Sequence, residues 1–204
     1  MKGIILANGS ISDYSKIKKY ITPDSILICA DGGYNHAVRM GLTPKYVIGD
    51  MDSVTESIDN IKTKKFSTDK DETDTELAIN TALKEGCNHI VLLAASGTRL
   101  DHTIANIILL LRLEKQGILA ELIDEHNIIR VISKKTEFIA TPNDTISLIP
   151  ITNCEGISSK GLVYPLNGEN LKLGCVRGIS NRFINSHAVI DIKSGYLLVI
   201  KAAD

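Results

Sequence analysis

The chain has 204 residues, 44% of them hydrophobic and 23% charged, which is enough to bury one large core or two small ones. Its 23 basic and 24 acidic residues leave a formal net charge of -1, so nothing in the bulk charge draws it to nucleic acid or to an anionic membrane surface. No apolar run approaches the roughly 20 residues of a membrane span, and the four cysteines (Cys29, Cys87, Cys154, Cys175) form no CxxC pair, which argues for buried thiols over zinc or a disulfide framework.

Met1-Lys2-Gly3-Ile4-Ile5-Leu6 enters a strand-like run and soon meets Asn8-Gly9, without the apolar core and small-residue cleavage site of a secretory leader, so a cytoplasmic protein is expected. Short apolar runs then alternate with helical patterns, the signature of a parallel sheet covered by helices. Strands are expected at 3–7, 25–30, 46–49, 89–95 and 119–123. A helix is expected over 74–85, where Thr73 and Glu76 form a T-x-x-E capping box and Gly86 supplies the stop, and another over 102–116, stopped by Gly117. After about residue 133 the helical period disappears, and runs such as 145–149 and 188–192 alternate in period two between turn signals at Thr141 to Asp144, Leu166 to Gly168 and Lys193 to Gly195. The expected architecture is an α/β domain over 1–132, Rossmann-like with a mainly parallel sheet and flanking helices, followed by a small antiparallel β-sandwich over 133–204.

The aspartates carry the chemistry. Asp31 directly follows the strand at 25–30, Asp50 follows 46–49, and Asp101 lies a few residues past 89–95. All three belong to carboxyl ends of parallel strands, where open α/β sheets bind ligands. Asp52 joins Asp50, and Asp74 opens a helix, so five carboxylates converge on one crevice. Any one of them alone also reads as a turn residue or a helix cap. Together they would repel unless a cation were present, and magnesium, which takes hard oxygen ligands and substrate phosphates, resolves the conflict. Asp69, Asp71 and Glu72 read as a solvated turn. Arg99, in the loop Ser96 to His102, has a fixed fork of donors suited to phosphate, or to one of the nearby acids. His102 reads as a general base or as a structural helix-start residue, and Gly32-Gly33 lets backbone approach a ligand. No GxxxxGK[ST] loop, GxGxxG fingerprint or protein-kinase motif set is present, so a nucleotide must be held in some other way.

In order and separation, Asp31-Gly32-Gly33-Tyr34-Asn35-His36, Gly49-Asp50-Met51-Asp52-Ser53, Asp71-Glu72-Thr73-Asp74 and Arg99-Leu100-Asp101-His102 resemble the catalytic domain of thiamine pyrophosphokinases, and Gly178-Ile179-Ser180-Asn181 is similar to that family's thiamine-binding turn. The resemblance covers essentially the whole chain. It implies an N-terminal domain that binds ATP and Mg2+, a C-terminal domain that helps bind thiamine, a homodimer with active sites at the interface, and the products thiamine diphosphate and AMP. It implies that Asp50, Asp52, Asp74 and Asp101 handle metal and phosphates, that Lys70, Thr73, Arg99 and Asp101 contact ATP, and that Asp31, Ser180 and Asn181 lie by thiamine. The tryptophan that some members stack on thiamine has no counterpart, because the chain contains none. Competing readings are a magnesium-dependent phosphohydrolase built on the Asp50-x-Asp52 pair and a non-catalytic nucleotide or thiamine sensor.

Overall fold

The computed structural model describes residues 1–57, 62–65, 71–141 and 143–203, those at 62–65 by their backbone. The chain divides into two compact units, Met1–Glu125 and His126–Asp204. The expected boundary after residue 132 is corrected here: β7 (Asn127–Ile132) pairs antiparallel with β14 (Leu197–Ala202) along its whole length and so belongs with the second unit.

In the first unit β1 (Lys2–Leu6), β2 (Ile26–Ala30), β3 (Tyr46–Gly49), β4 (Lys62–Lys65), β5 (His89–Leu93) and β6 (Leu119–Ile123) form an all-parallel arrangement in the order β6-β5-β1-β2-β3-β4. The inner strands read as unbroken apolar runs because both faces are covered: Ile4, Ile5, Leu6, Ile28, Cys29, Leu92 and Leu93 are all wholly inaccessible. From β1 the chain builds outward through β2, β3 and β4, then returns to the other side of β1 for β5 and β6. The direction of building reverses between β1 and β5, and a crevice opens there beyond the strands' carboxyl ends.

The helix over 74–85 is α3 (Asp74–Lys84), and that over 102–116 is α4 (Leu100–Lys115). The capping box closes on one side only. Thr73 Oγ1 accepts from Glu76 N at 3.2 Å, but the Glu76 carboxylate turns to Arg112 of α4 instead of back to Thr73. Three elements lack a sequence signal: β4 is Lys-Thr-Lys-Lys, α1 (Tyr14–Lys18) has one buried apolar residue, and α2 (Gly33–Arg39) begins on glycines.

In the second unit the strands pair antiparallel as β12 (Gly178–Arg182), β9 (Thr145–Pro150), β14, β7, and as β11 (Asn167–Leu171), β10 (Cys154–Lys160), β13 (His187–Asp191), β8 (Thr136–Ile139). Both sets feed one apolar cluster, with Ile146, Leu197 and Val199 from the first and Ile157, Ala188 and Ile190 from the second wholly inaccessible. The turn expected at Leu166 to Gly168 is instead the start of β11, whose pairing with β10 shifts register near Ile157. The Gly178 to Asn181 segment is likewise no turn but a strand with a register irregularity against β9. Cys29, Cys87 and Cys154 are buried free thiols, Cys175 is half-buried, and among the described residues no helix is long and apolar enough to cross a membrane.

Asp144 fastens the start of β9. Its carboxylate accepts from Thr141 N and Thr141 Oγ1, each at 2.7 Å, and meets Lys201 Nζ at 3.0 Å, with the residue 5% exposed. Burial pushes its pKa up, but the Thr141 and Lys201 donors outweigh it and hold the carboxyl below its ordinary 3.8. A depressed carboxyl stabilises the fold above the unfolded pKa, and that stability disappears as pH falls through the folded value. Asp144→Asn should therefore cost about 1–2 kcal/mol at pH 7. In urea titrations the gap from wild type should shrink steadily below about pH 4, and a gap that is the same at pH 7 and pH 3 would show that the charge contributes nothing.

Candidate active site

Asp31, Asp50 and Asp52 sit just past strand ends, where the backbone turns left-handed at Asp31 and Met51. Asp31 follows β2 at φ 47 while its N–H still donates to Ile48 O of the neighbouring strand at 2.7 Å. Met51 at φ 70 curls the loop after β3, so that Asp52 N donates to Asp50 Oδ1 at 3.1 Å and Ser53 Oγ to Asp52 Oδ1 at 2.9 Å. Such left-handed conformations cost a non-glycine residue on the order of 1 kcal/mol and persist only where the surroundings enforce them. Carboxylate oxygens of Asp31, Asp50 and Asp52 come within 4.8 Å of one another. Asp31 Oδ1 is buried with no hydrogen-bond partner. Hard oxygen donors at this spacing, one of them orphaned, fit a magnesium ion.

Asp74 opens α3 beside them. A Cβ on Gly49 would come within 3.1 Å of Asp31 Cβ and 3.2 Å of Asp74 Cγ, so the bare glycine leaves room for both acids. Asp31 and Asp74 line a cavity of about 350 Å³. Its other walls are the loops beyond β1 and β5, Ala7 to Ser10 and Ala94 to Arg99, with His102, Thr103 and Asn106 of α4. These are the two loops at the reversal of the sheet. They extend the strand pairing: Ala7 N donates to Leu93 O at 2.9 Å and Gly9 N to Ala94 O at 2.7 Å. The contact requires glycine, since a Cβ on Gly9 would stand 2.2 Å from Ser96 O. From behind, Asn106 Nδ2 holds Ala95 O at 2.7 Å and Thr103 Oγ1 receives Gly97 N at 3.2 Å.

Asp101 lies outside the acidic trio. It receives the Arg99 fork, Nε to Oδ1 at 3.0 Å and Nη2 to Oδ2 at 2.6 Å. Those bonds hold its carboxyl far below the usual range. Both side chains are exposed, and Arg99 and His102 line the cavity while Asp101 does not. Thr73 faces its own helix as the cap of α3, and Lys70 lies outside the described residues.

In the second unit Ser180 takes φ 56 and donates its N–H to Ser147 Oγ at 3.0 Å. Asn181 is buried and brackets Tyr164, with Nδ2 donating to Tyr164 O at 2.7 Å and Oδ1 accepting from Tyr164 N at 3.1 Å. Its amide braces a backbone segment and thereby presents Tyr164, a residue 65% exposed that lines a cavity of about 290 Å³ with Ile179 and Asn181. Sequence reasoning overlooked Tyr164, because nothing local distinguishes it from any other loop tyrosine.

Two family models match consecutive parts of the chain: "Thiamin pyrophosphokinase, catalytic domain" over residues 17–122 and "Thiamin pyrophosphokinase, vitamin B1 binding domain" over 126–197. The thiamine pyrophosphokinase of Bacillus subtilis (strain 168) is 29% identical over 210 residues, 98% of each chain. A solved structure of thiamine pyrophosphokinase from Bacillus subtilis superposes with a TM-score of 0.91 over 100% of both chains at 28% identity. The yeast thiamin pyrophosphokinase structure, 20% identical, shares the fold at a TM-score of 0.77 over 99% of this chain and 86% of its own. Since the catalytic-domain match alone spans more than half of the chain and takes in the acids at the ends of β2 and β3, the chain belongs to the thiamin pyrophosphokinase family.

Proposed function

We propose that the protein transfers the diphosphoryl group of ATP to the hydroxyl of thiamine, giving thiamine diphosphate and AMP. The observation that carries this is the acidic trio beside a cavity at the sheet's reversal, in a chain that matches both domains of the family. The first unit then serves as a Rossmann-like ATP and Mg2+ domain and the second as a thiamine-binding β-sandwich.

The hydroxyl oxygen of thiamine forms a bond to the β-phosphorus, the bond from that phosphorus to the α,β-bridging oxygen breaks, and its electron pair leaves with AMP. Asp50, Asp52 and Asp74 are the groups that would hold magnesium, which when bound offsets phosphate charge and favours attack on phosphorus. Asp31 Oδ1, the buried oxygen without a partner, accepts the hydroxyl proton. Arg99 meets the phosphates through the Nη1 side of its guanidinium, while Asp101, bound to Nε and Nη2, orients the group. The loops from Ala7 to Ser10 and Ala94 to Arg99 receive the rest of ATP, and Lys70 and Thr73, just ahead of Asp74 in sequence, contact it as the resemblance implies. On the thiamine side Ser180 contacts the ligand, Asn181 sets Tyr164, and the Tyr164 ring stacks where other members use tryptophan. The resemblance supports a homodimer whose partner supplies this wall. Mixing Asp50→Asn chains with Asn181→Ala chains should then restore activity in heterodimers, and silence after demonstrated subunit exchange would exclude the shared site.

Incubation with ATP, Mg2+ and thiamine, with products identified by mass, tests the reaction itself. AMP and thiamine diphosphate in equal amounts are expected. ADP, or free phosphate released from simple monoesters, would overturn it in favour of a kinase of the ordinary kind or a phosphohydrolase.

A further inference from the structure

Helix α2 lies behind the site and contributes nothing to the chemistry above, yet its first turn reaches both of the site's loops. Asn35 faces the acidic loop: Nδ2 donates to Ser53 O at 2.9 Å, and Oδ1 accepts from Thr55 N at 3.0 Å and Thr55 Oγ1 at 3.2 Å. Its neighbour Tyr34 donates to Ser57 O at 2.9 Å. Ser53 in turn holds the Asp52 carboxylate, so Asn35 grips the backbone one residue from a candidate metal ligand.

His36 faces the other way. It is 8% exposed, with Nε2 at 2.8 Å from Gly9 O and Nδ1 at 2.8 Å from Tyr14 Oη. A carbonyl only accepts, so Nε2 carries the hydrogen, and in the neutral ring Nδ1 accepts from Tyr14. Gly9 is the residue by which the loop beyond β1 is fastened to Ala94, and it lines the cavity. The two glycines that open the helix make the approach possible: a Cβ on Gly32 would stand 2.4 Å from Asn8 Nδ2, and one on Gly33 would stand 2.0 Å from Leu6 O.

We propose that α2 is a two-ended brace, in which Asn35 is a positioning residue for the Asp50–Asp52 loop and His36 a positioning residue for the Gly9 loop. Adjacent side chains on one short helix thus set two different ligands, the cation through Asn35 and the nucleotide through His36. The assignment of ligands to loops rests on the function proposed above, but the separation of the two effects does not require turnover.

The test is a crossed pair of binding measurements on the full chain: Mn2+ affinity by electron paramagnetic resonance, and ATP affinity at saturating Mn2+ by calorimetry. Asn35→Leu should weaken Mn2+ about tenfold and leave ATP within about twofold, whereas His36→Leu should weaken ATP about tenfold and leave Mn2+ within about twofold. His36→Gln, whose amide nitrogen offers a donor in place of Nε2, should recover most of the loss. If a leucine variant fails to fold, Asn35→Asp and Tyr14→Phe, which each remove one partner of the same contacts, should show the same split at about threefold. Equal effects of both substitutions on both ligands, or no effect of either, would overturn the brace and leave α2 as ordinary packing. The same split among the variants, in a protein whose wild type makes no thiamine diphosphate, would overturn the proposed reaction and keep the brace.

Discussion

Replacing Asp50 or Asp52 with asparagine is expected to lower turnover about a thousandfold or more, while the protein remains folded. Each change is nearly isosteric, and both residues lie at the surface end of β3, outside the core. What is lost is one negative ligand for the cation, from a pair that stands with Asp31 in a cluster whose oxygens lie within 4.8 Å. A loss of ~4 kcal/mol of transition-state stabilisation corresponds to about three powers of ten in rate. Removing a charge from a crowded acidic set also relieves repulsion, so the metal-free variants should melt no lower than wild type. Steady-state rates with saturating Mg2+ and a thermal melt decide the matter together. A variant that keeps more than about a tenth of the rate has lost only ~1.4 kcal/mol and does not carry the metal.

Gly33→Ala should be the most damaging single methyl in the N-terminal unit. The added Cβ would stand 2.0 Å from Leu6 O and 2.7 Å from Leu6 C, atoms of the central strand that have no freedom to retreat. Either α2 lifts off the sheet or β1 bends, at a cost of about 3 kcal/mol or more, which lowers the melting temperature by ~6–12 °C in a chain of this size. Gly117→Ala is the control. Nothing stands within 4 Å of its Cβ, and it carries only the left-handed strain of φ 72, about 1 kcal/mol. If the two variants melt together, the close approach of α2 to β1 imposes no demand on the sequence.

The alternation of apolar runs and helical patterns was sufficient to find β1, β2, β3, β5, β6 and the two long helices, because strands covered on both faces and amphipathic helices both leave periodic traces. It could not find β4, whose Lys-Thr-Lys-Lys carries no apolar pattern though its backbone pairs with β3, or α2, whose Gly-Gly start reads as a turn until Leu6 is seen against it. Asp31 and Asp50 were legible because a strand-end acid is a linear feature, and the convergence of Asp31, Asp50 and Asp52 followed from parallel topology. The partition of roles was not legible. That Asp101 spends its carboxylate on Arg99, or that Asn181 spends its amide on Tyr164, depends on rotamers and on contacts that sequence spacing does not encode. The left-handed backbone at Asp31, Met51, Ala94 and Ser180 was equally hidden, since none of these is glycine.

Those left-handed residues set stability and activity against each other. Asp31 carries both an unfavourable φ and a like-charged neighbourhood, so Asp31→Asn, which tolerates the same backbone and sheds the charge, should make a sturdier and inert protein. Selection for heat resistance alone would therefore erode this edge of the sheet first, and a lineage freed from the need for its product would be expected to lose its aspartates before it loses its fold.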